Sequence, residues 1–210
     1  MKISTLIFDF GGVLINLDRD ACVRQYQQLG VANADKLLDN YMQSGVFLAL
    51  EKGEISLEEF HKEIRRISNQ NLSDQVIDDA FRAFLLDIPK NKMDKIAQLH
   101  QQYRTLILSN TNELHFPIKS NKLVNSDYII DDYFDHCYLS FQMHLSKPDE
   151  KIFKSLLENE HIKPQECLYL DDGEKNIETA LHLGFNCYWV KDGKWVDEID
   201  EILKQYNNYL

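Results

Sequence analysis

No run of apolar residues approaches the ~20 that a membrane-spanning helix needs. The apolar stretch near the start, STLIFDFGGVLI, is interrupted by Asp9 and does not read as a secretory signal. The expected location is therefore the cytoplasm. Cysteine is scarce: Cys22, Cys137, Cys167 and Cys187, with no Cys-x-x-Cys pair among them. Scattered single cysteines in apolar stretches read as reduced core residues in a reducing compartment. Basic residues are outnumbered, 23 Lys and Arg against 34 Asp and Glu, for a net charge of −11. That balance argues against nucleic acid or an anionic membrane surface as a partner. It leaves room for a small phosphorylated molecule, which needs only one local cation. Internal repeats and low-complexity segments are also missing. What is there is a 210-residue chain, 44% hydrophobic. It is long enough for one large domain, or one domain carrying a smaller inserted module.

Four short apolar runs, STLIFD, TLILS, CLYLD and NCYWV, lack polar alternation. Such runs read as strands of a parallel sheet covered on both faces. Amphipathic patterns separate them: NKMDKIAQLHQQY, DEKIFKSLLENE, and EKNIETALHLG with Gly184 as a stop. The order points to an α/β fold, a doubly wound, Rossmann-like parallel sheet. The segment from Asn16 to Pro89 contains no convincing strand. It reads as helices near Arg19–Leu29, Ala34–Ser44, Leu57–Ser68 and Asp74–Leu86. SLEE, from Ser56 to Glu59, has the capping-box pattern, and Ser73 is placed to cap the next helix. The expected organisation is an α/β core of residues 1–15 and 90–210, with a helical bundle of residues 16–89 inserted after the first strand.

Polar residues stand at or just beyond the ends of these elements: Asp9 after LIF, Ser109 and Asn110 ending LILSN, Lys147 in LSKPD, and Asp171 and Asp172 ending LYLDD. In an open parallel sheet, ligands bind beyond the carboxyl edge of the strands. Groups far apart in sequence can converge there. Three crowded carboxylates need a cation to stay ionised. Oxygen donors without clustered His or Cys suit a hard ion such as Mg²⁺. Lys147 offers a fixed positive charge and Ser109 a hydroxyl, together a cradle for a transferring phosphoryl group. One carboxylate can then act as nucleophile. Taken singly, each has a plainer reading: Lys147 as a solvated loop lysine, Ser109 as a turn residue, Asp171 as a strand terminator. Asn112 and His115 in NTNELH point to the pocket lining, with a satisfied loop histidine as the plainer reading of His115. Trp189 and Trp195 read as core.

Together, and in this order, FDFGGVL, LSN, SKPDEKIF and YLDDGEKNI resemble the four motifs of the haloacid dehalogenase (HAD) superfamily. The resemblance covers nearly the whole chain, and the inserted block matches that superfamily's helical cap. GEISLEEF and LSNTNELH are similar to stretches in its bacterial sugar-phosphate phosphatases and in phosphatase domains related to epoxide hydrolases. The resemblance implies a Mg²⁺-dependent phosphatase acting on a small phosphorylated metabolite. Asp9 would be nucleophile and metal ligand, and the Gly11 carbonyl a second ligand. Asp172 would be the main further ligand, with Asp171 beside it, direct or through water. Ser109 and the Asn110 amide would hold phosphate, and Lys147 would neutralise charge.

Gly11 departs from the pattern. Most phosphatases of the superfamily carry a second Asp there as the acid and base. Its loss removes a contribution of typically ~10²–10⁴-fold. Without that acid a sugar 1-phosphate, with its easier leaving group, becomes the favoured substrate, unless Asp18 or Asp20 substitutes. Two other functions fit part of the pattern. A 2-haloacid dehalogenase uses the same nucleophile but usually loses the paired acids of the fourth motif. A regulatory module would hold phosphate with little turnover.

Overall fold

A computed structural model describes residues 2–41 and 43–208. Five parallel strands form one sheet in the order β3-β2-β1-β4-β5: β1 Thr5–Phe8, β2 Arg104–Ser109, β3 His136–Leu139, β4 Cys167–Asp171 and β5 Asn186–Trp189. The side chains of β1 alternate between two faces. Leu6 and Phe8 face a core shared with α6 (Lys90–His100) and α10 (Trp195–Asn208), while Ile7 faces α8 (Glu150–Glu160) and α9 (Glu174–His182). Helices on both faces explain why these strands read as unbroken apolar runs. Trp195 packs its ring 5.3 Å from Phe8 and donates to the Val13 carbonyl at 3.0 Å. Among the described residues no helix is long and apolar enough to cross a membrane.

Between β1 and α6 the chain forms α1 (Arg19–Gln28), α2 (Ala34–Leu37), α3 (Gly45–Glu51), α4 (Leu57–Ser68) and α5 (Asp74–Arg82). Tyr26, Phe47, Phe60 and Phe81 meet edge to face or stacked, with ring centroids 5.0–6.2 Å apart. Fully burying such a side chain stabilises by about 1.5–3 kcal/mol. These rings are continuous with the core that holds Leu6, Phe8 and Trp195, so the block packs onto one face of the sheet. Its entry and exit run side by side. The Asp18 amide donates to the Phe84 carbonyl at 2.8 Å, the Leu86 amide to Asn16 at 2.9 Å, and the Asn16 amide to Asp87 at 3.0 Å. Ser56 and Glu59 form the capping box, and Ser73 caps α5.

Two local expectations are corrected. The helix expected over Ala34–Ser44 stops at Leu37. Asp39 accepts from the Tyr41 amide through its side chain, and Gln43 accepts from the Asp39 amide, so these side chains compete with helical bonding. The last helix of the block ends at Arg82 rather than Leu86, as the chain turns into its exit segment, where Leu85 bridges Leu17. Also unexpected are α3, which is seven residues long, β3, and the short helix α7 (Ser140–Met143). β3 is an edge strand, exposed at His136 and buried only at Leu139, so it carries no apolar run. α7 follows β3 directly. All four cysteines are free, with Cys22 and Cys167 buried and Cys137 and Cys187 half-buried.

Candidate active site

Strand register brings the site together. Phe8 lies level with Ile107 and Leu170, and Ser109 with Leu139. The carboxyl ends of β1, β2 and β4 therefore open on one edge. Asp9 leaves the central strand with its amide bonded to the Leu170 carbonyl at 2.9 Å. Asp9, Asp171 and Asp172 each offer an oxygen within 4.8 Å of the others.

Lys147 sits beneath them, almost wholly buried. Its Nζ donates to Asp9 Oδ1 at 2.9 Å, to Asp171 Oδ2 at 2.7 Å and to the Leu108 carbonyl at 2.9 Å. Three partners use all three ammonium protons. Burial works against this charge, but Asp171 and Asp9 outweigh it and hold Lys147 above the usual lysine range. Asp171 is fully buried and fully engaged. One oxygen takes Lys147 and the Tyr169 hydroxyl; the other takes the Gly173 amide at 2.7 Å and Asn176 Nδ2 at 2.9 Å.

The cluster still has surplus negative charge. Burial, then Asp171 against the pull of Lys147, pushes Asp9 up to about 6. Burial, then the charges of Asp9 and Asp171, pushes Asp172 up to about 7. A divalent cation fits here because every donor is a hard oxygen and the carboxylates have room to converge. Gly12 makes that room: its φ is +69°, and a Cβ there would collide with the Asp172 carboxylate. Gly11 faces the cavity, and its carbonyl accepts the Val13 amide at 2.7 Å, which leaves a second lone pair.

Ser109 and Asn110 line the same cavity, but the Asn110 side chain is committed elsewhere. Its amide donates to the Lys147 carbonyl at 2.9 Å and accepts from the Lys147 amide at 2.8 Å. A phosphate contact from Asn110 therefore has to use its backbone N–H. The cavity holds about 60 Å³. One water needs roughly 10–15 Å³ by the same measure, so a phosphate-sized group fits and a whole sugar does not.

The helical block closes the cavity from above with Asn40, Tyr41, Gln43 and Glu51. Glu51, at the end of α3, is 7% exposed. Burial, then the charge of Asp9, pushes its carboxyl up to about 8. Nothing in the sequence pattern marked this residue. Asp18 and Asp20 are not brought to the site: Asp18 caps α1 by accepting from the Ala21 amide, and Asp20 is exposed and paired with Arg19. His115 does line the cavity, whereas Asn112 turns its oxygen to the amides of Leu114 and His115. Trp195 is core as expected. Trp189 is only half-buried, and its indole N–H donates to the Asp172 carbonyl at 3.0 Å.

Comparison with known proteins gives the same architecture and family. A D-ribitol-5-phosphate phosphatase of Bacteroides thetaiotaomicron is 35% identical over 203 residues, 96% of this chain and 98% of that protein. A structure described as a predicted HAD-like family hydrolase of Porphyromonas gingivalis superposes with a TM-score of 0.89 at 37% identity, covering 97% and 99% of the two chains. A wild-type HAD family enzyme of B. thetaiotaomicron, solved in complex with magnesium and inorganic phosphate, gives 0.83 at 38% identity, covering 91% and 96%. The profile of the haloacid dehalogenase-like hydrolases matches residues 3–184, and this chain belongs to that family.

Proposed function

We propose that this hydrolase is a Mg²⁺-dependent phosphatase of small sugar or polyol phosphates, working through an aspartyl-phosphate on Asp9. One observation carries the reading: three carboxylates and a buried lysine surround a phosphate-sized cavity at the carboxyl edge of the sheet. The substrate class is supported by the D-ribitol-5-phosphate phosphatase relative. Mg²⁺ is supported by the relative solved with magnesium and phosphate.

In this reading Asp9, Asp172 and the Gly11 carbonyl hold the ion. Asp171, its oxygens already occupied, acts beside them by fixing Lys147 and the start of α9. Bound Mg²⁺ supplies charge that offsets the phosphate and its transition state. Asp9 attacks phosphorus. Ser109 and the Asn110 backbone N–H orient the phosphate oxygens. Lys147 keeps Asp9 in line and offsets charge as it develops. Residues 16–89 form the cap, which excludes water and contacts the organic part of the substrate through Asn40, Tyr41 and Gln43.

A haloacid dehalogenase is disfavoured because the paired acids Asp171 and Asp172, which such enzymes usually lack, both stand beside Asp9. The test is a Mg²⁺-dependent screen over phosphorylated metabolites, including anomeric and primary-alcohol phosphates, with Asp9→Asn and EDTA as controls. Turnover that needs Asp9 and Mg²⁺ is expected. Equal activity in Asp9→Asn would sink the mechanism, and stoichiometric phosphorylation of Asp9 without turnover would favour a regulatory role.

A further inference from the structure

The phosphatase reading leaves one requirement unmet. Something must protonate the leaving oxygen and later take a proton from water, and position 11 has no side chain to do it. The groups on the cavity can be taken in turn. Asp9 and Asp172 are committed to the cation site, and Lys147 has all its protons engaged. His115 bonds through Nε2 to the Phe81 carbonyl at 3.0 Å, so its proton points away into the block. Tyr41 is 58% exposed at the rim. Asp18 and Asp20 are elsewhere. Glu51 remains.

Its placement is built in. The Glu51 carbonyl accepts the Ser140 hydroxyl at 2.5 Å, and the same Ser140 oxygen accepts the Thr111 amide at 2.9 Å. One hydroxyl thus ties the end of α3 to the loop that follows Ser109. The next turn seals the contact. Gly53 has φ +63°, and a Cβ there would collide with the Phe141 carbonyl on α7. The Lys52 carbonyl meets His144 Nδ1 at 3.2 Å. Among the described residues, no hydrogen bond or ion pair occupies the Glu51 carboxyl. It is a buried polar group facing a cavity with no partner, which is costly unless a ligand supplies one.

We propose that Glu51 is the general acid and base of this enzyme, delivered by the cap to replace the missing side chain at position 11. The proposal rests on the phosphatase reading. In the first step an Asp9 oxygen bonds to phosphorus as the bond to the leaving alcohol breaks. The electron pair stays on the leaving oxygen, which takes the Glu51 proton. In the second step a water oxygen attacks phosphorus while the Glu51 carboxylate takes one of its protons. The Asp9–phosphorus bond breaks and returns its pair to Asp9. One water is consumed, alcohol and phosphate leave, and both carboxyl groups end as they began. Burial, the larger influence on Glu51, favours its protonated form.

The test is a series of phosphomonoesters of graded leaving-group pKa, from p-nitrophenyl phosphate to a polyol phosphate, with Mg²⁺ present. Wild-type kcat/KM is expected to vary little across the series. Glu51→Gln, nearly isosteric, is expected to lose ~10²–10⁴-fold on the polyol phosphate and far less on p-nitrophenyl phosphate. Adding Gly11→Asp to Glu51→Gln is expected to recover the polyol rate. A Cβ at position 11 meets only Leu17 methyls at 3.4 and 3.8 Å. A merely structural role for Glu51 would not be rescued this way. Equal losses on both esters in Glu51→Gln would overturn the proposal. So would a steep leaving-group dependence in the wild type, a measurement that needs no variant to fold. Absence of any Mg²⁺-dependent turnover in the wild type would instead remove the phosphatase reading itself.

Discussion

At the scale of single residues, the adjacent glycines Gly11 and Gly12 do different things. Gly11 is a missing side chain, and adding one meets little resistance. Gly12 is a required absence, because its φ is +69° and the Asp172 carboxylate occupies the space a Cβ would fill. Gly12→Ala is expected to displace Asp172 and weaken Mg²⁺ binding by about 10–100-fold, the range seen when a ligand's support is disturbed. Gly11→Ala is expected to bind Mg²⁺ like the wild type. Calorimetric titration of both variants with Mg²⁺ checks this, and equal affinities would contradict it. Asp9, Ser109, Lys147 and Asp172 were legible because each follows an apolar run or opens a helix. Glu51 was not. In EKGE it has the look of a solvated turn, and only the contact of α3 with α7 buries it.

At the scale of elements, α3 and β3 explain most of what sequence patterning missed. α3 is too short for a helical period to stand out, and β3 is an edge strand without an apolar run. Both nonetheless shape the site, since β3 leads into Ser140, which anchors Glu51. Two changes separate helix stability from placement of the block. Ser56→Ala removes the capping box of α4 on the outer side of the block. It is expected to cost about 1 kcal/mol in urea unfolding with kcat unchanged. Gly53→Ala is expected to force α3 away from Phe141 and lower kcat on alkyl phosphates at least tenfold, which is the loss of about 1.4 kcal/mol of transition-state stabilisation. Steady-state kinetics beside urea unfolding checks both; a kcat loss in Ser56→Ala larger than in Gly53→Ala would contradict the assignment.

At the scale of the whole molecule, the block and the sheet share a buried histidine. His115, on the loop after β2, packs 4.2 Å from the Phe81 ring of α5 and bonds to that residue's carbonyl. Burial, against that hydrogen bond and with help from the Arg82 charge, lowers its pKa from 6.5 to about 4. Between those values the unfolded chain binds a proton that the folded protein refuses. Stability therefore falls as pH drops from 6.5 toward 4, by up to about 3 kcal/mol from this residue. Asp9, Asp172 and Glu51 have raised values and act in the opposite sense, in wild type and variant alike. His115→Asn is expected to lose less stability than the wild type between pH 7 and pH 4.5. Urea midpoints at the two pH values measure the difference, and parallel losses would refute the assignment.

Apolar runs, helical periods and the order of the four motifs follow from local chemistry, so the α/β class, the core strands and the main acids and lysine could be read directly. The alternating faces of β1 and the capping box are equally local. Whether a side chain is buried, and which oxygen it meets, depends on partners distant in the chain. Asn110 was engaged by Lys147, and Trp189 was drawn to the Asp172 carbonyl. Glu51 is 89 residues from the serine that anchors it. Local pattern is silent about such pairs because their energy comes from desolvation and contact, which exist only once the sheet and the helical block have closed on each other.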